Sequence, residues 1–237
     1  MSDRKIFFFH LPKAGGTSII SALRMTPSRT LAPLIENNVL DHQNINGRYE
    51  EFRGHDVYAG HYGRDVYEAV EDGHSVFTNF RHPVYRIASL YRYFRYVIKM
   101  DENALALPHN AAILAAKNLS FDEFISSRSE DVLVYISDFH FRQLCWSPWE
   151  LRCDSPISVA KDLINTMNCA FVCEYPEQSS VILNKSLGIS NIPRLNITQY
   201  KGDDDLITAQ SAKNILSFNE RDLSIYNFAV DRFLSSL

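Results

Sequence analysis

The sequence predicts an α/β protein in which helices cover both faces of a central, mostly parallel sheet, a three-layer sandwich. Short apolar runs, typical of buried parallel strands, alternate along the chain with segments in which apolar residues recur at helical spacing. That alternation indicates strands joined by right-handed crossover helices. With 237 residues, 46% of them hydrophobic and 22% charged, the chain can bury the core of one large domain.

The first hundred residues follow this alternation. Three short apolar runs predict strands: IFFFHL (6–11), VYAGHY (57–62) and SVFTNF (75–80). Three segments predict helices: TSIISALRM (17–25), RDVYEAVEDG (64–73) and RHPVYRIASLYRYFRYVIKM (81–100). The second helix is expected to end at its glycine, and the third is expected to be long, with a proline in its first turn.

The remaining chain is less clearly patterned up to residue 156. Helices are expected near 109–117 and 120–127, whereas the aromatic-rich segment FHFRQLCWSPWEL fits no element. Four elements follow: a helix (158–167), a strand (169–175), a helix begun by proline (176–189) and a helical pair that breaks near 217–219. No repeat or linker composition interrupts the chain, so a single domain over residues 1–237 is expected.

Charge, hydropathy and cysteine spacing limit the classes of function. The formal net charge of −4 argues against a nucleic-acid partner held by a broad basic surface. The apolar run near the N-terminus is too short for a secretory signal and no stretch is long enough to span a membrane, so a cytoplasmic protein is expected unless an anchor precedes it. The four cysteines fit no zinc pattern and are expected to be reduced, although Cys145 and Cys153 could pair across a loop.

The segment PKAGGTS, between the first strand and the first helix, has the composition of a phosphate-binding loop. The first N–H groups of a helix lack intrahelical partners and lie at the positive end of its dipole. Two adjacent glycines, Gly15 and Gly16, let the backbone approach a phosphate closely. Lys13 supplies a positive charge, and the hydroxyl of Thr17 or Ser18 adds a donor. A tight turn that needs glycine for its backbone alone is the other interpretation.

Nucleotide kinases and other P-loop NTPases use a different pattern. Their loop is G-x-x-x-x-G-K-[ST], in which the lysine follows the last glycine and the hydroxyl binds Mg²⁺. In this sequence the lysine precedes the glycines, and the strand SVFTNF is followed by arginine where such enzymes place a metal-binding aspartate. The pattern therefore predicts a nucleotide whose phosphates are neutralised by protein cations, without a metal ion.

Arg81 is the second candidate cation. A guanidinium binds phosphate through two parallel hydrogen bonds. Ser89 follows eight residues later, about two helical turns on, and therefore lies roughly in line with the start of the helix. A structural ion pair of Arg81 is the other interpretation.

These motifs resemble the sulfotransferases that use 3′-phosphoadenosine 5′-phosphosulfate, in the carbohydrate branch that includes heparan sulfate 2-O-sulfotransferase and its bacterial relatives. PKAGGTS, from Pro12 to Ser18, resembles the family's loop for the 5′-phosphosulfate, with Ala14 where threonine is frequent. RHPVYRIASLY resembles the second motif, in which an arginine and a serine, Arg81 and Ser89 in this chain, hold the 3′-phosphate.

Further similarities extend the resemblance over nearly the whole chain. AGHYG resembles the segment that carries the family's catalytic base, which is His61 in this sequence. FHFRQLCW, FVCEYPEQS, PRLNIT and NERDLSIYNFAVDRF follow in the family's order. Cys173 stands where the family often has glycine, so the details of the adenine pocket are not carried over.

The resemblance implies a P-loop-like fold and transfer of a sulfuryl group to an acceptor hydroxyl, on a glycan or glycoconjugate. Lys13 is expected to stabilise the leaving 3′-phosphoadenosine 5′-phosphate, with no metal required. His61 is expected to act as base, since ligand sites in open α/β sheets lie beyond the carboxyl ends of strands. Three other histidines compete for that role: His10, His55 and His82.

Acceptor contacts and rival functions stay open. Arg92, with its helical neighbours Arg95 and Lys99, predicts either a groove for an acidic glycan or a solvated basic face. Arg142 resembles an arginine of the family and is a candidate acceptor contact, and the two tryptophans beyond it suit either sugar stacking or a core. A Mg²⁺-dependent P-loop kinase and a non-catalytic nucleotide-binding protein are the alternative functions.

Overall fold

The computed structural model describes residues 4–25, 29–33, 52–70, 73–190, 192–193 and 206–234. Its centre is a sheet of four parallel strands: β1 (Ile6–Phe9), β2 (Val57–Gly60), β3 (Ser75–Phe80) and β4 (Cys169–Val172). Helices flank this sheet, which confirms the predicted α/β class and the three-layer sandwich. Of the predicted segments, residues 71–72 and most of PRLNIT lie outside the described residues.

Strand order determines where a ligand can bind. The sheet has the order β2-β1-β3-β4, so the chain moves to one side of β1 for β2 and to the other side for β3. In open parallel sheets, ligands bind beyond the carboxyl ends of the strands, at the point where the order reverses. The register pairs Phe9 with both Gly60 and Thr78, which brings the carboxyl ends of β1, β2 and β3 to one edge.

Helices make up most of the remaining described chain. They are α1 (Gly16–Arg24), α2 (Arg64–Val70), α3 (Pro83–Arg92), α4 (Glu102–Leu105), α5 (Ala111–Asn118), α6 (Phe121–Ser126), α7 (Glu130–Ile136), α8 (Phe139–Cys145), α9 (Ile157–Thr166), α10 (Pro176–Leu187), α11 (Ala209–Ser217) and α12 (Glu220–Leu234). No helix in these ranges combines the length and the apolar character that crossing a bilayer requires.

The two faces of the sheet bury different helices because strand side chains alternate in direction. Phe7 and Phe9 face a core shared with α8, α9 and α12. Phe8 and Phe77 face α1 and α10, and their rings stack with centroids 4.5 Å apart. A third apolar cluster joins α3, α5, α6, α7 and α11 without a strand, and it holds the segment 102–136 against the rest of the chain.

Several predicted boundaries differ from the observed ones. The strand predicted at 6–11 ends at Phe9. The strand predicted at 57–62 ends at Gly60, so His61 lies just beyond it. The long helix predicted at 81–100 changes at Tyr93 into a π-helix, Tyr93–Val97. The strand predicted at 169–175 ends at Val172, and α8 forms within the aromatic segment that had no prediction.

The four cysteines are free, as expected for reduced thiols. The alternative pairing of Cys145 with Cys153 is therefore wrong. Burial raises the pKa of Cys145 and of Cys169 to about 12, which keeps both thiols protonated and unreactive at neutral pH.

Candidate functional site

The loop between β1 and α1 curls through two left-handed backbone positions. Lys13 has φ 66° and Gly15, the N-cap of α1, has φ 81°. Glycine adopts such angles without strain, whereas a lysine does so at a cost in free energy. The loop therefore holds a conformation that local preference does not explain, and a contact elsewhere has to maintain it.

Asn79, near the end of β3, supplies that contact. Its Oδ1 accepts a hydrogen bond from the Leu11 amide at 2.6 Å, and its Nδ2 donates to the carbonyls of Leu11 at 3.0 Å and Ala14 at 2.8 Å. The side chain is fully buried. At the strand end where a P-loop kinase would place a metal-binding carboxylate, this chain has an amide that fixes the backbone of the loop.

Position 16 has to be glycine because the ring of His10 lies too close for any side chain. A Cβ at position 16 would lie 2.0 Å from Cδ2 of the His10 ring, far inside van der Waals contact. The ring of His10 therefore packs directly on the first turn of α1. Burial, His61 and Lys13 together lower the pKa of His10 well below its usual value, so this imidazole is neutral.

The N-terminus of α1 has no side-chain cap for its first backbone N–H groups among the residues that the structure describes. Its first turn contains no acidic residue. Gly15 and Thr17 are exposed, while Gly16 and Ser18 are buried. Unpaired backbone N–H groups at the positive end of a helix attract phosphate or sulfate. The predicted loop residues Pro12 to Ser18 therefore form one continuous turn onto this helix.

Lys13 and Arg81 meet at this loop. Nη1 of Arg81 donates a hydrogen bond to the carbonyl of Lys13 at 2.9 Å. Nζ of Lys13 lies over the ring of Tyr93, 3.9 Å from its centroid. Burial and then the charge of Arg81 lower the pKa of Lys13 to about 8. Because an anion close to both groups would offset their repulsion, the arrangement favours binding of a negatively charged ligand.

Helix α3 extends from this cation pair. The His82 amide at its start donates to Oε1 of Glu174 at 2.9 Å, and Pro83 occupies the first turn. Ser89 lies on α3 and is partly exposed, so its hydroxyl has access to solvent on the helix that Arg81 precedes. The π-helix that follows α3 brings Tyr93 to Lys13, and π-helical turns are frequent at functional sites.

His61 lies at the carboxyl end of β2, next to the end of β1. Its Nδ1 is 2.8 Å from the carbonyl oxygen of His10, and the two histidine rings have centroids 4.4 Å apart. A carbonyl only accepts hydrogen bonds, so Nδ1 carries the proton and Nε2 is the basic nitrogen of the neutral ring. Only 6% of His61 is exposed, so its ring orientation is fixed by these neighbours.

The other two competing histidines have structural contacts. The ring of His55 packs edge-on against Tyr58. The ring of His82 packs against Tyr85 and Tyr226, and burial lowers its pKa. Of the four candidates, His10 and His61 are the pair at the strand ends beside the loop.

Arg142 is positioned to hold the fold together. It is 1% exposed, and its guanidinium donates to the carbonyls of Ser137 (3.1 Å), Glu150 (3.0 Å), Val134 (2.6 Å) and Pro148. A buried guanidinium already bound to four carbonyls cannot also reach a substrate. Because Arg142 is buried, the structure argues against its predicted contact with the acceptor.

The basic residues at the end of α3 and just after it differ in their contacts and exposure. Nη1 of Arg95 donates to the carbonyls of Ala116, Lys117 and Leu119 at the end of α5, so this arginine ties two helices together. Arg92 is partly buried at the end of α3, and Lys99 is exposed. Arg95 is therefore not available to the predicted groove for an acidic glycan. An acceptor contact of Arg92 stays a prediction.

The two tryptophans have different environments. Trp149 is 7% exposed and packs edge-on against Tyr135 and Phe139, so it belongs to the core. Trp146 is 47% exposed. Its carbonyl accepts a hydrogen bond from the Asp65 amide at 3.1 Å, four residues after His61. Trp146 is therefore the tryptophan available to a ligand, and its backbone is hydrogen bonded to the segment that follows the candidate base.

Sequence patterns did not reveal three residues of this site. The role of Asn79 depends on where the loop lies after folding, and Tyr93 reaches Lys13 only because α3 changes to a π-helix. Gln143, in the unassigned aromatic segment, donates to the carbonyls of His10 and Tyr62. The feature of the sequence that could have indicated Gln143 is its place as a polar residue within an aromatic run.

Comparison with known proteins adds no family assignment. No protein-family model matches the chain, and no curated protein matches it significantly. Within the described ranges, no group of three or more histidine, cysteine or acidic side chains is arranged to hold a metal ion. Functional interpretation therefore depends on the geometry of the site and on the resemblance of its motifs.

The role of Asn79 leads to a stability prediction. Asn79→Asp keeps the side-chain shape but removes both N–H donors and turns a carboxylate oxygen towards two carbonyls. We expect a loss of roughly 2 to 6 kcal/mol in the free energy of unfolding, about 1 to 3 for each unsatisfied carbonyl. Urea denaturation measures this loss of stability. The control is Asn184→Asp on the exposed side of α10, and a loss at position 79 no larger than the control's would contradict the assigned role.

Proposed function

We propose that the protein is an O-sulfotransferase that moves a sulfuryl group from 3′-phosphoadenosine 5′-phosphosulfate to a hydroxyl of an acceptor, a glycan or glycoconjugate. The observation that carries the proposal is the hydrogen bond from Arg81 to the Lys13 carbonyl. This bond joins the two predicted phosphate-binding motifs, which are 68 residues apart in sequence, at the carboxyl ends of the strands. A single nucleotide with phosphates at its 3′ and 5′ positions is the ligand that needs both motifs.

The loop is proposed to bind the 5′-phosphosulfate. Its backbone amides at the start of α1 are the donors, and the exposed hydroxyl of Thr17 and the ammonium of Lys13 complete the contact. Ser18 is buried and contributes through its amide. Arg81 and Ser89 are proposed to bind the 3′-phosphate, with the guanidinium as the bidentate partner.

His61 is proposed to be the base on the acceptor side. The hydroxyl oxygen of the acceptor attacks sulfur in line with the bond to the 5′-phosphate oxygen, and Nε2 of His61 takes the hydroxyl proton. The new O–S bond forms as the S–O bond to the phosphate breaks, and 3′-phosphoadenosine 5′-phosphate leaves. Lys13 in its charged form stabilises the negative charge that develops on the leaving oxygen.

The acceptor is proposed to approach past the segment that follows β2. Trp146 is exposed, and its backbone is hydrogen bonded to Asp65 in that segment. Its indole offers a sugar ring an apolar face. Arg92 is a second candidate contact, for an acidic group on the same acceptor.

Two rival functions make different predictions. A P-loop kinase would bind ATP with Mg²⁺ in preference to the bisphosphate. A non-catalytic nucleotide-binding protein would bind the bisphosphate and transfer nothing. The His10 carbonyl holds Nδ1 of His61 and so makes Nε2 the nitrogen that accepts a proton. This arrangement favours catalysis over the second rival because a binding module has no use for a positioned base.

The shifted pKa of Lys13 predicts proton uptake on nucleotide binding. Its pKa is about 8, so roughly half of the free protein carries the Lys13 proton at pH 8. A phosphate beside Lys13 favours the charged form and raises this pKa, so the protein should take up about half a proton per nucleotide at pH 8. Affinity for the bisphosphate should therefore fall as pH rises above 8.

Calorimetry at pH 8 in two buffers with different ionisation enthalpies measures that uptake. The binding enthalpy should depend on the buffer in the unmodified protein and should lose this dependence in Lys13→Met. Lys185→Met, on the exposed part of α10, is the matched control and should keep it. Equal enthalpies in both buffers for the unmodified protein would show that binding takes up no proton at pH 8 and would contradict this prediction.

The role of His61 predicts a loss of turnover without a loss of nucleotide binding. His61→Ala should lower kcat for sulfate transfer by roughly a hundredfold or more, the usual contribution of a positioned base. The assay uses radiolabelled sulfate donor with a panel of neutral and acidic glycans. His109→Ala, in the turn Pro108–Asn110, is the control. Unchanged turnover in His61→Ala would remove this residue from the mechanism.

A further inference from the structure

Gln143 is a buried polar residue in the middle of α8. It is fully buried, on a helix whose neighbouring residues Phe141 and Leu144 pack against the sheet. Polar side chains are uncommon in such a position unless all their hydrogen bonds are made. The oxygen and the nitrogen of its side-chain amide therefore both need hydrogen-bond partners within the fold.

The amide nitrogen of Gln143 joins the ends of β1 and β2. Nε2 donates to the carbonyl of Tyr62 at 2.9 Å and to the carbonyl of His10 at 3.3 Å. The His10 carbonyl is also the acceptor for Nδ1 of His61, at 2.8 Å. One carbonyl oxygen thus accepts from both Gln143 and His61, and the residue after His61 is held by the second N–H of the same amide.

The orientation of this amide is fixed by its partners. Both acceptors are carbonyls, so the nitrogen has to face them and the oxygen has to point away. Oε1 is buried and finds no hydrogen-bond partner among the residues that the structure describes. An unsatisfied buried carbonyl destabilises a fold, and an apolar side chain of this length would avoid that cost but would leave the Tyr62 carbonyl without its donor from Gln143. Glutamine at this position therefore exchanges one unsatisfied oxygen for a side-chain link between the ends of β1 and β2.

We propose that Gln143 is a positioning residue for His61. It acts through the His10 carbonyl and the Tyr62 backbone, and it does not contact the reacting atoms. By holding both strand ends, it keeps the acceptor of the His61 Nδ1 proton in place, and this keeps Nε2 as the basic nitrogen in a fixed direction. The inference rests on the proposed function, because a positioned base has a purpose only if His61 accepts a proton.

Two variants test this role. Gln143→Met keeps the length and removes both donors, while Gln143→Asn keeps the amide but is too short to reach both carbonyls. If Gln143→Met does not fold, Gln143→Asn supplies the same comparison. The matched control is Gln210→Met on α11, where the glutamine is exposed and donates to Asn214.

The first readout separates kcat from binding. We expect kcat for sulfate transfer to fall roughly tenfold, a typical effect of removing a group that orients a functional side chain. Affinity for 3′-phosphoadenosine 5′-phosphate should stay within about twofold, since Gln143 contacts neither the glycine loop nor Arg81. A kcat equal to that of the unmodified protein in both Gln143 variants would overturn the inference.

The second readout does not need activity. Nitrogen NMR of histidine-labelled protein distinguishes the two neutral tautomers of an imidazole, and His61→Ala assigns the signal. We expect a protonated Nδ1 in the unmodified protein and a mixture of tautomers in Gln143→Met. If no donor is ever turned over but the tautomer shifts as expected, the proposed function fails while the positioning role stands. An unchanged His61 signal would overturn the positioning role even in an active enzyme.

Discussion

Two cations held at one loop, Lys13 and Arg81, set the conditions for the rest of this site. Arg81 donates to the carbonyl of Lys13 and at the same time contributes to lowering the pKa of its ammonium to about 8. The fold keeps this unfavourable proximity through the three hydrogen bonds of Asn79 to the loop backbone. An anion bound beside these two like charges would offset their repulsion, so the arrangement favours a negatively charged ligand.

The proposed proton-accepting side of the site lies at the neighbouring strand end. His61 follows β2, and its Nδ1 bonds to the carbonyl of His10, which follows β1, while the His10 ring packs on Gly16 at the start of α1. His10 thus contacts the proposed base through its carbonyl and the proposed anion-binding helix through its ring. Because both sides share this residue, a shift of the glycine loop would also move His61.

Local patterns predicted most of the scaffold and part of the site. The strand SVFTNF and the helix that begins with PEQSS have the predicted places because their apolar spacing and proline signals are strong. The structure argues against the acceptor contact expected of Arg142, since an arginine is seldom buried and its four carbonyl partners, all within eight residues in sequence, become available only where the chain folds around α8. The contacts of Asn79 and Gln143 join residues 65 to 133 positions apart, which no local pattern reveals.

Calorimetry with adenine nucleotides tests most directly whether one nucleotide bridges Lys13 and Arg81. The unmodified protein should bind 3′-phosphoadenosine 5′-phosphate without metal and bind adenosine 5′-monophosphate roughly ten- to a hundredfold more weakly, the value of a charged hydrogen-bonded phosphate. Arg81→Met should remove most of that difference, with a smaller loss of affinity for the monophosphate because Arg81 also hydrogen bonds to the Lys13 carbonyl. Tight binding of ATP with Mg²⁺ and none of the bisphosphate, or an equal loss of both ligands in Arg81→Met, would contradict the account.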